Sequence, residues 1–482
     1  MPQTADGSSC MNSLFFFDDW LLFAREGLDR RQGRPERIGQ FALDPQADPD
    51  LESIRGLGIV HDPIGGGYEM VVDCQSRSGM RFFTRLRSDD PYRWPTQEWK
   101  SGSGPLWTRA DNVYLDQHGR PLDCFNTLCL AGTPLAQKGY VATFFDYART
   151  HRGDAHHSPQ PSAAIGFSRD GLHFEVEAGN CYIPHHSDTS NPPIYNPWTG
   201  EFLIYCRPEQ SDRRIGVVTT RDFRTFSPYE TILQPDPLDP VGREFYGLTP
   251  WLQDDLFVGT LSIYDTEPTE KAHVRMQGIN EMQLAYSYNG KNWYRASREM
   301  FLERGEPGTD SGGSIYAGMP VRTPANRLLF GTMVSWTEHG MDIEHCPEEW
   351  RRTPYRSYLY EMRPDGFVFL RTSARCGRLR TKAIVPQGGE LTINALTTPS
   401  GHVKAVMLDA QTFEPIPNYT LDEAVPLVGD ELAGVLRWRE RKNLNELKDR
   451  RVMLELHVRE ADLYALRFPY RVHLGEYIRD RV

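Results

Sequence analysis

The chain has 482 residues, 39% of them apolar, and carries 54 basic against 65 acidic side chains, a net charge of −11 at neutral pH. That length exceeds one ordinary hydrophobic core and suits two or three domains, and a mean hydropathy of −0.55 describes a soluble globular chain. An acidic balance without concentrated Lys and Arg excludes a nucleic-acid surface.

Residues 1–9 form a polar tail. Residues 14–24 (LFFFDDWLLFA) read as strand-like, closing a ring of strands or packing on a second domain. Asp18-Asp19 interrupts them, which excludes a signal core or a membrane span. The expectation is a cytoplasmic protein with no membrane partner. Residues 27–49, rich in Arg, Gly, Pro and Asp, read as an irregular surface arm, so 1–53 is expected to be an arm plus a closing strand. Eight scattered cysteines show no C-x-x-C pair, and Cys74, Cys129 and Cys206 in apolar runs read as buried thiols.

From 54 to 375 the chain repeats a unit of four short strands. The clearest copy, 188–227, runs DTSNPPIYNPWTGEFLIYCRPEQSDRRIGVVTTRDFRTFS. Asn196-Pro197 and Gly200 make its first turn, and Phe202, Ile204 and Cys206 alternate with period two. Two markers recur in the same order. The first-turn signal appears at Asp62-Pro63, Thr133-Pro134, Asn196-Pro197, Asp254-Asp255 and Pro324-Ala325-Asn326. An Asp or Asn four residues before a large aromatic follows at Asp90/Trp94, Asp170/Phe174, Asp222/Phe226, Asn289/Trp293 and Asp365/Phe369. Four strands per repeat, irregular loops and no helical partner predict an all-β fold, a five-bladed β-propeller with blades at 54–94, 112–175, 188–227, 239–295 and 310–371. From 376 to 470 alternating runs without these markers predict a β-sandwich, and 471–482 a charged tail.

In a propeller the first strand of each blade lines the central channel. Counting back from the first turns, those strands carry Asp123, Asp188, Glu244 and Asp310, whereas the first blade offers Arg55 and no carboxylate. An aspartate ahead of a strand also serves as a turn cap, but four on one rim point to chemistry. Crowded carboxylates repel, leaving one protonated beside an ionised partner, the combination that glycosidic cleavage needs. Trp107, Tyr195, Tyr246, Trp251, Tyr316 and Trp336 are candidates to face sugar rings, though blade packing uses the same residue types. Asn126, Asn191, Arg207 and Arg243 are candidates to bond hydroxyls; Arg207 serves equally well as a surface ion-pair partner. The histidines at 156–157, 185–186, 339 and 345 lack zinc spacing, so no catalytic metal and no redox cofactor is expected, with a single Ca²⁺ in the channel left open.

Five blades with carboxylates on inner strands, then a sandwich, resemble the glycoside hydrolases of families 32, 43 and 68. The segments DTSNPPIYNPWTGEFLIYCRP, EFYGL, AYSYNGKNWYR and READLYALRF resemble a family 32-like bacterial group. The family's W-M-N-D-P-N-G start and E-C pair are absent, and Arg221-Asp222-Phe223 lies in an outer hairpin, so roles carry over by blade and not by motif. The resemblance implies three acids acting on an oligosaccharide or glycoside, furanosides included. Asp188 is assigned as base or nucleophile, Glu244 as general acid beside Phe245 and Tyr246, Asp310 as the third carboxylate and Asp123 as the reserve. The alternatives are a non-catalytic carbohydrate-binding propeller and a glycoside phosphorylase, the latter needing two channel arginines such as Arg55 and Arg243.

Overall fold

The computed structural model describes residues 10–41, 43, 47–145, 163–181, 187, 189–208, 212–266, 277–341, 344, 346–351 and 355–472. Regular structure among them is nearly all β-strand; the α-helical part is one turn, Glu348–Arg351. Among the described residues no helix is long and apolar enough to cross a membrane. The chain divides into two compact units. One holds Pro35–Trp251 and Phe257–Met362; the other holds Met1–Arg34, Leu252–Leu256 and Arg363–Val482.

The larger unit is built from five strand groups among the described residues. Leu51–His61, Tyr68–Ser76 and Arg81–Ser88 form the first, antiparallel in chain order. Asp123–Cys129, Tyr140–Phe145, Ala163–Ser168 and His173–Cys181 form the second, with Leu115–Asp116 along its outer edge. Pro193–Asn196, Glu201–Cys206, Ile215–Thr220 and Glu230–Leu233 form the third. Arg243–Gln253, Leu256–Thr266, Gly278–Ser287 and Trp293–Arg295 form the fourth. Ser314–Ala317, Leu328–Ser335, Tyr355–Met362 and Glu36–Phe41 form the fifth, joined to the fourth through the Asn280–Ser314 pair.

Alternation explains why the groups stack. Along Glu201–Cys206, Phe202, Ile204 and Cys206 enter a cluster with Val141 and Ile165 of the second group. Leu203 and Tyr205 point the other way, to Phe257, Leu261, Ile263 and Ala285 of the fourth. Successive side chains of a strand leave opposite faces, so a strand apolar at every position must be covered on both sides.

The Asp/Asn marker closes an Asx turn in four of its five copies: Asp90 accepts the Tyr92 amide at 3.0 Å, and three others accept two amides each. The side-chain oxygen of Asp170 accepts the amides of Leu172 and His173 at 2.9 and 2.9 Å. Asp222 accepts those of Arg224 and Thr225 at 2.8 and 2.9 Å, and Asn289 those of Lys291 and Asn292 at 2.9 and 2.8 Å. Each of these three is an Asx turn leading from a third strand toward a fourth, and a Ser or Thr two residues earlier caps it from behind. Gly290 in the last of these has φ +77°, and an added Cβ would run into Leu203 Cδ1. Gly290→Ala should therefore cost about 1–3 kcal/mol in a urea melt; an unchanged midpoint would contradict so tight a turn.

Asp365, the fifth marker, does something else. It sits in the smaller unit, where its carboxylate accepts from Arg467 Nη1 and Nη2 at 2.8 and 2.8 Å, Asn394 Nδ2 at 2.9 Å and Gln253 Nε2 at 3.0 Å. The strand after it, Val368–Thr372, pairs with Leu28–Gln32 and Val452–Val472 and adds nothing to the fifth group. The fourth place there goes to Glu36–Phe41. The irregular arm expected at 27–49 thus contains two paired strands, each edge satisfied by a partner remote in sequence.

In the smaller unit the 21-residue strand Val452–Val472 is the hub. Cys10–Phe15, Cys376–Thr381 and Leu391–Asp409 pair with it antiparallel, and Leu22–Glu26 continues beyond Cys376–Thr381. The aromatic N-terminal segment therefore packs in this unit. Trp438 is 1% exposed and donates Nε1 to the Ala405 carbonyl at 2.8 Å, so it is core and not a binding platform. Cys74 and Cys206 are buried free thiols and Cys129 is half-buried.

Candidate functional site

A cavity of about 510 Å³ opens in the larger unit. The first strand of four groups lines it directly: Leu51–His61 through Arg55, Asp123–Cys129 through Asn126, Arg243–Gln253 through Tyr246, and Ser314–Ala317 through Tyr316. The third group contributes Thr189 and Ser190, just ahead of Pro193–Asn196. Its lining is part apolar, with Leu57, Ile59, Val71, Met282 and Met333, and part polar, with Asn126, Thr189, Ser190, Tyr246 and Tyr316. An apolar concavity with a few polar groups is the usual form of a small-molecule site.

Among the described lining residues the carboxylates are Asp73 and Glu338. Asp73 is 1% exposed and accepts from Arg55 Nε at 2.6 Å and from Arg81 Nε and Nη2 at 3.0 and 3.0 Å. Burial pushes its carboxyl up, but the Arg55 and Arg81 guanidinia outweigh that and hold it below its ordinary value. Glu338 follows the strand Leu328–Ser335 and accepts from Gln277 Nε2 at 2.7 Å. Its loop is tied down by a reciprocal backbone pair, His339 N to Gly278 O at 2.7 Å and Gly278 N to His339 O at 3.1 Å. The His339 ring lies edge-on to Tyr246 at 4.9 Å and to Tyr264 at 5.3 Å. Sequence reasoning missed both acids as site residues because neither is on a first strand: Asp73 is on the second strand of its group and Glu338 on a loop.

The sequence-predicted residues divide. Asn126, Tyr246 and Tyr316 line the cavity. Asn126 donates to the Ser190 carbonyl, tying the second group to the third. Tyr316 accepts from Asn280 Nδ2 at 2.9 Å, and burial raises its phenol. Asp188 lies outside the described residues, but Thr189 and Ser190 beside it line the cavity. Asn191 braces that segment: at φ +47° it donates to the Thr189 and Ser187 carbonyls at 2.8 and 3.2 Å and accepts from Ser187 Oγ at 2.7 Å. The strand of Asp123 is described but its side chain is not.

The remaining candidates are not among the cavity-lining residues. Glu244 is ion-paired with Arg213, whose guanidinium also lies 4.8 Å from the Tyr264 ring centre, so its surroundings are not the apolar ones expected from Phe245 and Tyr246 alone. Burial pushes the Tyr264 phenol up to about 12. Asp310 accepts from the Tyr358 hydroxyl, which burial and then Asp310 itself push up to about 12. Arg207 stands 5.1 Å from the Tyr246 ring centre and bonds its carbonyl at 3.4 Å. Arg243 is bidentate to Asp265 at 2.7 and 2.7 Å. Trp251 is 7% exposed and packs edge-on to Phe330, and Trp336 is half-buried. Among the described residues no group of three His, Cys, Asp or Glu side chains is placed to hold a metal ion. His156, His157, His185, His186 and His345 lie outside them.

No protein-family model matches the sequence, and no curated protein matches it. Solved structures similar to this chain include an N-acetylgalactosamine deacetylase from F. plautii in complex with blood group B trisaccharide, at 12% identity and TM-score 0.43, covering 71% of this chain and 97% of that one. The GH32 β-fructofuranosidase of Bombyx mori matches at 9% identity and TM-score 0.40, over 88% of this chain and 95% of its own. An α-L-arabinofuranosidase from Podospora anserina in complex with cellotriose matches at 10% and 0.42, over 69% and 98%. Likenesses at such identities and scores assign this chain neither substrate nor activity.

Proposed function

We propose that the cavity is the substrate site of a glycoside hydrolase, that the five strand groups are blades of a β-propeller, and that the smaller unit is a β-sandwich. The observation that carries this reading is the convergence of five first strands, or the residues just ahead of them, on one cavity. Tyr246 and Tyr316 offer ring faces and edges for a sugar, and Asn126 offers an amide for its hydroxyls.

Two carboxyl roles are needed, a proton donor to the leaving oxygen and a base or nucleophile on the other side of C1. Asp188, next in sequence to the lining residues Thr189 and Ser190, takes the base or nucleophile role. Glu338 takes the acid role in place of Glu244, because it lines the cavity while Glu244 is held by Arg213. Asp73, kept ionised by two guanidinia, sets the local charge. A panel of aryl glycosides and oligosaccharides, pyranose and furanose, incubated with and without phosphate, tests the reading. Turnover independent of phosphate is the expected result. Binding without turnover would leave a carbohydrate-binding propeller, and turnover only with phosphate a phosphorylase; either would end the hydrolase reading.

A further inference from the structure

Asp73 and Arg55 are direct cross-strand partners, and Arg81 starts the neighbouring strand. All three line the cavity. Arg81 grips the carboxylate with two nitrogens, and Arg55 reaches it through Nε. Arg55 is further fixed by the Tyr355 ring, whose centre lies 4.5 Å from its guanidinium carbon. Two positive groups thus share one negative group, in planes set by the protein before any ligand arrives. Among the described lining residues the other carboxylate, Glu338, belongs to a separate loop and bonds Gln277.

We propose that Arg55 and Arg81 form an anion subsite within this cavity, recognising a carboxylate, sulfate or phosphate group at one end of the bound ligand. This rests on the reading of the cavity as the substrate site. A guanidinium presents a planar fork that matches such anions, and one already held by Asp73 and Tyr355 loses little freedom on binding. Leu57, Ile59 and Val71 line the same cavity, and apolar lining lowers the local dielectric in which a guanidinium attracts an anion. The anion has two possible sources of one chemistry: an acidic group carried by the sugar, or free phosphate bound beside it.

Calorimetric titration of the full chain with methyl β-D-glucuronide, inorganic phosphate and inorganic sulfate, against uncharged methyl β-D-glucoside, tests this without requiring turnover. At least one anion should bind more tightly than the glucoside, with an affinity that falls as salt rises. Arg81→Gln, at the more exposed of the two positions, should weaken the anion by about tenfold or more and the glucoside by less, with the circular dichroism spectrum at the titration temperature showing the fold retained. Arg55→Lys keeps the charge, loses the fork and should weaken the same ligands. Tighter binding of the glucuronide identifies a sugar-borne acid; tighter binding of phosphate identifies the free anion. Failure of every anion to outbind the glucoside, or equal anion affinity in both variants and the parent, would overturn the subsite. Anion binding without any turnover would sink the hydrolase reading and leave the subsite standing.

Discussion

Glu338→Gln is expected to cut turnover of a glycoside with a poor leaving group by about 10²-fold or more, the low end for loss of an acid–base group. The replacement is nearly isosteric and keeps an acceptor for Gln277, so the loop held on Gly278 should stay in place. On an activated aryl glycoside the loss should be much smaller, because that leaving group departs without a proton. Asp188→Asn should lose activity on both classes alike, since attack or water activation is needed whatever leaves. Steady-state kinetics of the two variants on a matched pair of substrates separates the roles. Equal impairment of Glu338→Gln on both substrates would remove it from the acid role, and full activity of Asp188→Asn would remove Asp188 from the site. Glu244→Gln serves as the comparison: with its carboxylate committed to Arg213 outside the cavity lining, it should cost less than Glu338→Gln on the poor leaving group.

Asp365→Ala is the structural change expected to cost most. The side chain of Asp365 is 2% exposed and accepts four hydrogen bonds, two of them from Arg467. Its removal leaves the Asn394 and Gln253 donors without their common acceptor and Arg467 with Asp254 as its remaining carboxylate partner, at 2.7 Å. Breaking a buried charge pair by deleting one partner costs about 3–5 kcal/mol, and the 30% exposure of the Arg467 side chain points to the lower end. Hydrogen exchange resolves where the loss falls. Amides of Val452–Val472 should exchange faster, while those of Glu201–Cys206 in the other unit keep their protection. Unchanged protection along Val452–Val472 would contradict the role given to Asp365.

Local chemistry was readable in the sequence and long-range pairing was not. Asp170, Asp222 and Asn289 announce their turns because an Asx turn is closed by residues two and three positions on, all inside one short window. Asp365 carries the same spacing, yet its partners are Gln253, Asn394 and Arg467, which no local window contains. Glu36–Phe41 looked irregular because its pattern is polar; the strand exists because Tyr355–Met362 offers it an open edge. The same limit governs the site. Of the carboxylates placed by first strand, Glu244 and Asp310 do not line the cavity, whereas Asn126, Tyr246 and Tyr316 in the same first-strand segments do. A segment's position in its strand group can be counted from turns, but the direction of each side chain cannot. Glu338 and Asp73 reach the cavity from a loop and from a second strand, and counting turns says nothing of either. The Glu244–Arg213 pair joins residues of adjacent groups, a contact invisible until the groups are stacked.

Occupation by a sugar of the cavity on which the five strand groups converge is tested most directly by an experimental structure of the full chain with a slowly cleaved glycoside. The expected result is a sugar ring against Tyr246 and Tyr316, hydroxyls on Asn126, and the glycosidic oxygen within about 2.6–3.2 Å of Glu338. A sugar bound on the outer surface with the cavity empty, or a ring in the cavity with Glu338 out of hydrogen-bond reach, would contradict it.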